Sequence, residues 1–295
     1  MKSYDAIVVG GGHNGLVAAA LLGKSGRKVL LLEASETLGG AARTEEFAPG
    51  FRVSPVAHVV NRLHPEVIEA LDLTRHGLDV GGSDMPSVAL SDKGEPLVLL
   101  GAYGERLSGA SAEEAKAWSA LRAQLIRYAA ILKPFLAKRP PQLDGLTFAD
   151  GSALALAGLS MKRLGKEDMR DFLRMLLMNV ADVLDEQIED DRLKGLLAFD
   201  AVLGSHLGPR SPTSLLGLYY RLAGEIGGAA GAQVMPKGGL GAVVASMVAA
   251  ARQAGVEIRT GVPVARIKVE KGRASSVVLA DGGEIGADTV ISALN

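Results

Sequence analysis

Cysteine is absent from the 295-residue chain. Its absence excludes a disulfide framework, a thiolate metal site and a cysteine nucleophile. A chain without cysteine suits a reducing compartment, and we expect a cytoplasmic protein.

Aromatic residues are scarce, and neither sign of charge is in excess. Only 4% of the residues are aromatic, and 32 Lys and Arg stand against 33 Asp and Glu. A stacking platform for single strands needs more aromatics, and a bulk attraction to nucleic acid needs more basic residues. We therefore expect no nucleic-acid partner, while a local basic patch leaves peripheral membrane contact open.

The uncharged stretch 6–23 approaches the length of a membrane-spanning helix. Glycines interrupt it at positions 10, 11, 12, 15 and 23, which favours a strand, a tight turn and a helix. Asp5 directly before the stretch argues against a secretory signal. The sequence predicts no transmembrane segment.

The front of the chain has the pattern of one βαβ unit. Residues 4–9 are a short β-branched run closed by glycines, 14–25 are apolar at helical spacing, and 28–32 form a second apolar run. Strand, glycine turn, helix and strand within about 30 residues are typical of a buried parallel sheet.

The middle of the chain has helical periodicity. Ser111 and Glu114 form a capping-box pattern, in which the serine caps a helix and the glutamate reaches back to its start. Four further elements are predicted here: helices over 166–184 and 190–203, and short strands over 88–90 and 96–100.

The first pattern returns near the end of the chain. A helix over 240–254 is followed by strands over 256–259, 264–269, 274–279 and 289–292. These strands complete the sheet begun at residue 4 and add a β-meander. The sequence thus predicts an α/β fold. A discontinuous nucleotide-binding domain, 1–65 plus 236–295, is interrupted by a mostly helical domain, 66–235.

A dinucleotide fingerprint lies at the first turn. Gly10, Gly12 and Gly15 follow the first strand and open the helix. They permit the tight turn, the approach of a pyrophosphate and the close packing of strand and helix, and the helix N-terminus offers N–H groups to the phosphates. Glu33, at the end of the second strand, can accept hydrogen bonds from ribose hydroxyls, and an acid there disfavours NADP.

The stretch 38–44 favours FAD over NAD. It supplies a second backbone track of small residues, followed by Arg43 as a cation that offsets phosphate charge. A plain NAD fold has no need of such a track beside its second strand. We predict FAD as the cofactor, and an NAD-dependent dehydrogenase, which would share the turn and Glu33, stays the alternative.

Several segments together resemble the phytoene desaturase and amine oxidase superfamily of flavoproteins. They are residues 8–15, Glu33, 39–44, 49–51, 235–240 and 255–260. The His-Asn pair inside the turn is similar to one branch, that of pyridine nucleotide-disulphide oxidoreductase domain-containing protein 2 and its bacterial relatives. The resemblance implies an FAD/NAD(P)-binding Rossmann-like parallel sheet with a β-meander, interrupted by a helical substrate or cap domain. Disulfide chemistry is excluded, because the chain has no Cys-x-x-Cys.

The resemblance also implies the residues that contact FAD. They are Gly10, Gly12, His13, Asn14, Gly15, Glu33, Ala34, Gly39, Gly40, Ala41, Arg43 and Val264, the last through its backbone at the adenine. Thr37 departs from the family pattern, since many relatives carry an arginine there, and this leaves Arg43 as the main phosphate cation. Ala41 also replaces a common arginine. His13 is interpreted as a packing and hydrogen-bonding residue and not as a base.

Catalytic candidates are few. No Ser/His/Asp set or metal-ligand cluster is recognisable, and His58 is the single candidate, because the family's chain passes near the flavin ring there. The scarcity suits a flavin, which carries hydride chemistry itself. The resemblance implies a dehydrogenase or desaturase reaction in which a hydride moves from a substrate C–H to flavin. The substrate would be an apolar or amine-type small molecule. Arg210, Tyr219 and Tyr220 could line its site, or could simply pack.

The chain stops at a predicted strand, where members of the resembled family continue. We expect 1–295 to be the N-terminal part of a longer protein whose later residues hold the isoalloxazine end of FAD. The alternative is a truncated, non-catalytic nucleotide-binding or interaction module. The sequence leaves the oligomeric state open.

Overall fold

The computed structural model describes residues 3–81, 85–92, 94–136 and 147–294. The elements up to the third helix are β1 (Ser3–Val9), α1 (His13–Lys24), β2 (Val29–Leu32), β3 (Glu45–Ala48), β4 (Phe51–Val53), α2 (Pro65–Ala70), β5 (Ser87–Ala89), β6 (Leu97–Leu100), β7 (Arg106–Ser108) and α3 (Ala112–Leu136). They are followed by α4 (Phe148–Arg163), α5 (Lys166–Met175), α6 (Val180–Asp185), α7 (Asp191–Val202), α8 (Leu215–Ala223), β8 (Glu225–Ile226), β9 (Ala229–Ala230), α9 (Leu240–Gln253), β10 (Glu257–Arg259), β11 (Val264–Glu270), β12 (Arg273–Leu279) and β13 (Glu284–Ser292).

The chain divides into two compact units. The first unit comprises Met1–Ser83 and Val234–Asn295, and the second comprises Asp84–Gln233. The first unit includes α2 and the turns after it, a stretch that the sequence assigned to the helical domain. Lys24 on α1 donates to the Ala70 carbonyl at 2.5 Å, which ties α2 to the first unit.

The first unit is built on a six-stranded sheet in the order β10-β2-β1-β13-β12-β11. β10, β2, β1 and β13 are parallel, and β13, β12 and β11 form an antiparallel meander. All four residues of β2 are buried, as expected for an inner parallel strand covered on both faces. The predicted α/β fold, a parallel sheet with a β-meander, is confirmed.

A helix pair packs beside this sheet. α1 contacts α9 and also β1 and β2. At Gly23 the two helical segments approach so closely that a Cβ would lie 2.6 Å from the Ala254 carbonyl oxygen. The glycine therefore sets the distance between α1 and the end of α9.

The hairpin of β3 and β4 was not anticipated from the sequence. Its strands have four and three residues and are joined at Pro49-Gly50. Phe47 and Phe51 are exposed on it, with ring centroids 6.3 Å apart. Strands this short and this exposed carry no periodic apolar signal.

The second unit has its own core of helices, with a small antiparallel sheet of β5, β6 and β7. The helix predicted behind Ser111 is confirmed as α3, and Trp118, Leu121 and Leu125 are buried along it. Ser111 accepts a hydrogen bond from the Glu114 amide at 3.1 Å. The second half of the predicted capping box is wrong, because the Glu114 carboxylate accepts from the amides of Glu189 and Asp190 at the start of α7.

The single helix predicted over 166–184 is divided into two helices in the structure. The helix over 166–184 breaks after Met175, and α6 restarts behind Asn179, whose side chain accepts from the Asp182 amide at 2.8 Å. Asparagine favours this N-cap position over a helix interior. The helix predicted over 190–203 is confirmed as α7.

Two of the three aromatic and basic candidates in this unit, Tyr219 and Arg210, serve packing and ion pairing, whereas Tyr220 is 50% exposed. Tyr219 is fully buried against the rings of Tyr128 and Phe172, and burial raises the pKa of its phenol. Arg210 pairs with Asp182 and Asp185. The interpretation of Tyr219 and Arg210 as structural residues is therefore favoured.

Candidate cofactor site

The first glycine turn joins β1 to α1. Gly10 has a φ of +104°, a conformation that L side chains rarely adopt, and its amide donates to the Leu32 carbonyl at 2.8 Å. A Cβ on Gly15 would lie 1.9 Å from the Gly10 carbonyl oxygen. Both glycines are therefore required by the fold itself, whether or not a ligand binds.

Gly12 differs from the neighbouring glycines because the position that a Cβ would occupy is open. A Cβ there would meet no heavy atom of the described residues within 4 Å. Gly12 is the N-cap of α1, and within this fully described helix the first turn carries no acidic residue. The positive end of the helix dipole thus faces a gap of the kind that a phosphate group fills.

Glu33 lies at the end of β2, directly across from this turn. Its Oε2 accepts from the Gly11 amide at 2.6 Å, and its Oε1 accepts from the Ser35 amide at 2.9 Å. A carboxylate has about four acceptor positions, so each oxygen retains one for a ribose hydroxyl. The two backbone bonds hold the carboxylate in a fixed orientation before any ligand arrives.

The second glycine segment lies against the first. The Gly39 amide donates to the Gly11 carbonyl at 2.8 Å, and Gly39 forms a parallel bridge with Gly12. A Cβ on Gly40 would lie 3.3 Å from the Gly12 Cα. The two glycine segments, more than 20 residues apart in sequence, are therefore one continuous backbone surface, and small residues keep the space over Gly12 clear.

Most of the remaining predicted contacts surround this surface. His13, Asn14, Ala34, Gly40 and Ala41 are all exposed. Val264 begins β11 and is half-buried, and the chain just before it is bonded to the end of β2, since the Val262 amide donates to the Glu33 carbonyl at 2.9 Å. The structure thus brings these residues around one end of the parallel strands, and their contact with a cofactor stays a prediction.

Arg43, the predicted phosphate cation, is already in an ion pair. Its Nε donates to the carboxylate of Glu45, and both side chains are partly exposed. A cation shared with a carboxylate offers less charge to a phosphate than a free one does. The role of Arg43 toward a phosphate therefore depends on Glu45 releasing it or sharing it.

A cavity of about 360 Å³ adjoins the second glycine segment. It is lined by Thr37, Leu38, Arg43, Thr44, Arg52, Gly238, Gly241, Ala242 and Val244. Arg52, on β4, contributes a second guanidinium to this cavity, and it was not predicted as a site residue from the sequence. Its only signal is a basic residue two positions after the Pro-Gly turn.

The single catalytic candidate, His58, lies outside the two glycine segments. His58 is exposed, and its Nδ1 lies 3.4 Å from the Val56 carbonyl oxygen. Among the described residues no group of three His, Asp or Glu could hold a metal ion. None of the described helices combines the length and the apolar character needed to cross a bilayer.

The fold and the two paired glycine segments are typical of dinucleotide-binding α/β proteins, and the comparisons narrow the class. The family described as flavin containing amine oxidoreductase matches residues 15–295, and the chain belongs to this family. Membership of the family implies a flavin cofactor. The resemblance expected from the sequence is therefore confirmed.

Curated relatives match nearly the whole chain. Mouse pyridine nucleotide-disulfide oxidoreductase domain-containing protein 2 is 33% identical, over 98% of this chain and 53% of its own length. Hydroxyneurosporene desaturase of Cereibacter sphaeroides is 29% identical, over 97% of this chain and 55% of its own length. The chain thus spans about half the length of the curated relatives it matches.

A solved structure shows the same fold. Cyclohexylamine oxidase from Brevibacterium oxydans aligns with a TM-score of 0.57 at 23% identity, covering 99% of this chain and 58% of its own. At this identity the likeness supports the fold and not the substrate.

Proposed function

We propose that this chain binds FAD through the surface formed by its two glycine segments and Glu33, and that it is the cofactor-binding part of an oxidoreductase. The observation that carries the proposal is the direct bonding of Gly39 to Gly11, beside the open space at Gly12. When bound, FAD supplies the acceptor for a hydride that leaves a substrate C–H.

Each part of the surface has a task that its chemistry suits. The N-terminus of α1 offers amides and a positive dipole end to one phosphate, and the backbone of 39–43 lies beside it for the rest of the pyrophosphate. Glu33 accepts from the ribose hydroxyls with the acceptor positions that Gly11 and Ser35 leave free. The paired segments favour FAD over NAD, because a plain NAD site uses the first segment alone.

We propose a dehydrogenase or desaturase reaction on an apolar or amine-type small molecule. The name of a relative and the description of the family support this range, since the relative is a hydroxyneurosporene desaturase and the family is described as flavin containing amine oxidoreductase. Among the described residues the cofactor site presents few acid–base groups, which suits a reaction whose chemistry is carried by the cofactor.

The test is a titration of the purified chain with FAD and, separately, with NAD, followed by flavin absorbance, fluorescence quenching and calorimetry. The proposal expects stoichiometric FAD binding that NAD does not displace. Tight NAD binding with no affinity for FAD would favour a nicotinamide-dependent dehydrogenase. Failure to bind either nucleotide would overturn the proposal.

A further inference from the structure

The N-terminus of α9 is capped by residues from another part of the chain. Its N-cap, Gly239, has no side chain to offer. Instead the Gly241 amide donates to Thr44 Oγ1 at 2.8 Å, and the Leu240 amide donates to Ser54 Oγ at 3.2 Å. The two hydroxyl oxygens lie 3.1 Å apart and bond to each other.

The glycines at the start of α9 make this capping sterically feasible. A Cβ on Gly241 would lie 2.7 Å from Thr44 Oγ1, and one on Gly239 would lie 3.0 Å from the same atom. The run Gly238-Gly239-Leu240-Gly241 therefore allows the helix to approach the two hydroxyls. An ordinary N-cap residue would have satisfied the helix without this contact.

Thr44 lies at the end of the second glycine segment, which is held at three points. At its start the Gly39 amide bonds to Gly11, and in its middle the Ala41 carbonyl accepts from the Ala57 amide at 3.0 Å. At its end Thr44 bonds to Gly241. Arg43 lies directly before this last point and lines the adjoining cavity. The hydroxyls thus fix the segment at the end where its only cation is placed.

We propose that Thr44 and Ser54 are positioning residues for FAD, which hold the backbone of 39–43 and the Arg43 side chain in place through α9. The inference rests on the proposed FAD site. Neither hydroxyl needs to touch the cofactor, because each acts through the segment that it anchors. A purely structural cap would affect the stability of α9 and leave cofactor affinity unchanged.

The experiment compares Thr44→Val, Thr44→Ser and Ser54→Ala with the unchanged chain. Valine keeps the β-branched shape and removes the acceptor, whereas serine keeps the hydroxyl. Ser246→Ala is the matched control, because its hydroxyl lies on the same helix and donates to the Val243 carbonyl at 2.7 Å, within α9. Each variant is assayed for FAD affinity, melting temperature without FAD and hydrogen exchange of the FAD-free chain.

We expect Thr44→Val to weaken FAD binding about tenfold, the effect of losing one hydrogen bond of ordinary strength. Thr44→Ser and Ser246→Ala should stay within about twofold. Thr44→Val should also speed amide exchange over 39–43, and Ser246→Ala should not. If Thr44→Val does not fold, Ser54→Ala carries the same expectation through the longer of the two bonds.

Two results would overturn the inference, and they differ from each other. Unchanged FAD affinity in Thr44→Val and Ser54→Ala, with a lowered melting temperature, would show a helix cap and nothing more. An unchanged chain that binds no FAD would instead remove the proposed function on which the inference rests.

Discussion

Glu33 has two roles in the structure, and the sequence indicates only one of them. The sequence indicates an acid for the ribose, and the structure shows the same carboxylate bonded to the amides of Gly11 and Ser35. Those bonds hold the glycine turn against the end of β2 and orient the remaining acceptor positions. Changing Glu33 should therefore affect both nucleotide affinity and the local turn.

We expect Glu33→Gln to weaken FAD binding roughly ten- to hundredfold, since a hydrogen bond to a charged group contributes on the order of 1.5–3 kcal/mol. Glu36→Gln is the matched control, because Glu36 is an exposed acid three residues further on. Fluorescence titration gives both affinities. Equal affinity for Glu33→Gln and the unchanged chain would remove Glu33 from the site.

Gly12 and Gly15 should respond in opposite ways to a side chain. Gly12→Val should leave the chain folded, with only the small loss of stability that valine causes at an N-cap, and should lower FAD affinity by more than about a hundredfold, because its side chain enters open space where a phosphate would bind. Gly15→Ala should lower the free energy of unfolding by about 3 kcal/mol or more, because its Cβ meets the Gly10 carbonyl. Calorimetric melting separates the two. A Gly12→Val variant that still binds FAD would place the phosphates elsewhere.

At the scale of elements, Glu114 connects two helices of the second unit. It is only 8% exposed and accepts from amides at the start of α7. Glu114→Ala leaves those amides without their acceptor, and we expect a loss of about 2 kcal/mol in the free energy of unfolding. Glu113→Ala, at the exposed neighbouring position, should stay within about 0.5 kcal/mol in a urea titration. Equal stability of the two variants would contradict the assigned role.

The elements that the sequence predicts well are those with local signals. β1, α1 and β2 follow from apolar runs divided by glycine, and β11 to β13 follow from runs divided by Lys271-Gly272 and Asp281-Gly282. The break between α5 and α6 could have been read from Asn179, a favoured N-cap. α4 could not be predicted in the same way, because its apolar residues are distributed around the helix and its sequence has no helical periodicity of hydrophobic residues.

The candidate site is predictable only in part, for a physical reason. Its glycine segments show their conformational requirements locally, so Gly10 to Gly15 and Gly39-Gly40 are recognisable in the sequence. The contacts of Thr44 and Ser54 with α9 join positions almost 200 residues apart. Nothing local distinguishes such a hydroxyl from an ordinary turn residue, and the ion pair of Arg43 with Glu45 depends on the strand geometry that follows it.

At the scale of the whole molecule, α4 has an unusual distribution of side chains. Its small residues Ala153 and Ala157 line a narrow apolar cavity of about 100 Å³ shared with α3. Two of its large residues are mostly exposed: Phe148 is 94% exposed, and Leu156, which also borders this cavity, is 61% exposed. Grouped exposed apolar side chains of this kind promote association.

We expect the purified chain to bind a hydrophobic fluorescent dye and to associate at high concentration. Replacing Phe148 and Leu156 together by serine should reduce both effects and change the melting temperature only slightly, because most of each side chain is exposed. Leu90→Ser is the control, an apolar residue 85% exposed outside α4. Dye fluorescence and light scattering give the result. No change in the double variant would assign the apolar surface to another part of the chain.

The pairing of β1 with β13 has a consequence for biosynthesis. Ala6 lies opposite Thr289, so this inner strand of the sheet meets its neighbour only after all the residues between them have been made. At about 5–20 residues per second, β1 leaves the ribosome on the order of tens of seconds before β13 exists. During that interval one edge of an apolar strand has no partner, while the helices of the second unit can already pack through contacts close in sequence. The unpaired edge of β1 is open to aggregation throughout this interval, which gives a chaperone reason to cover β1 until β13 has been made.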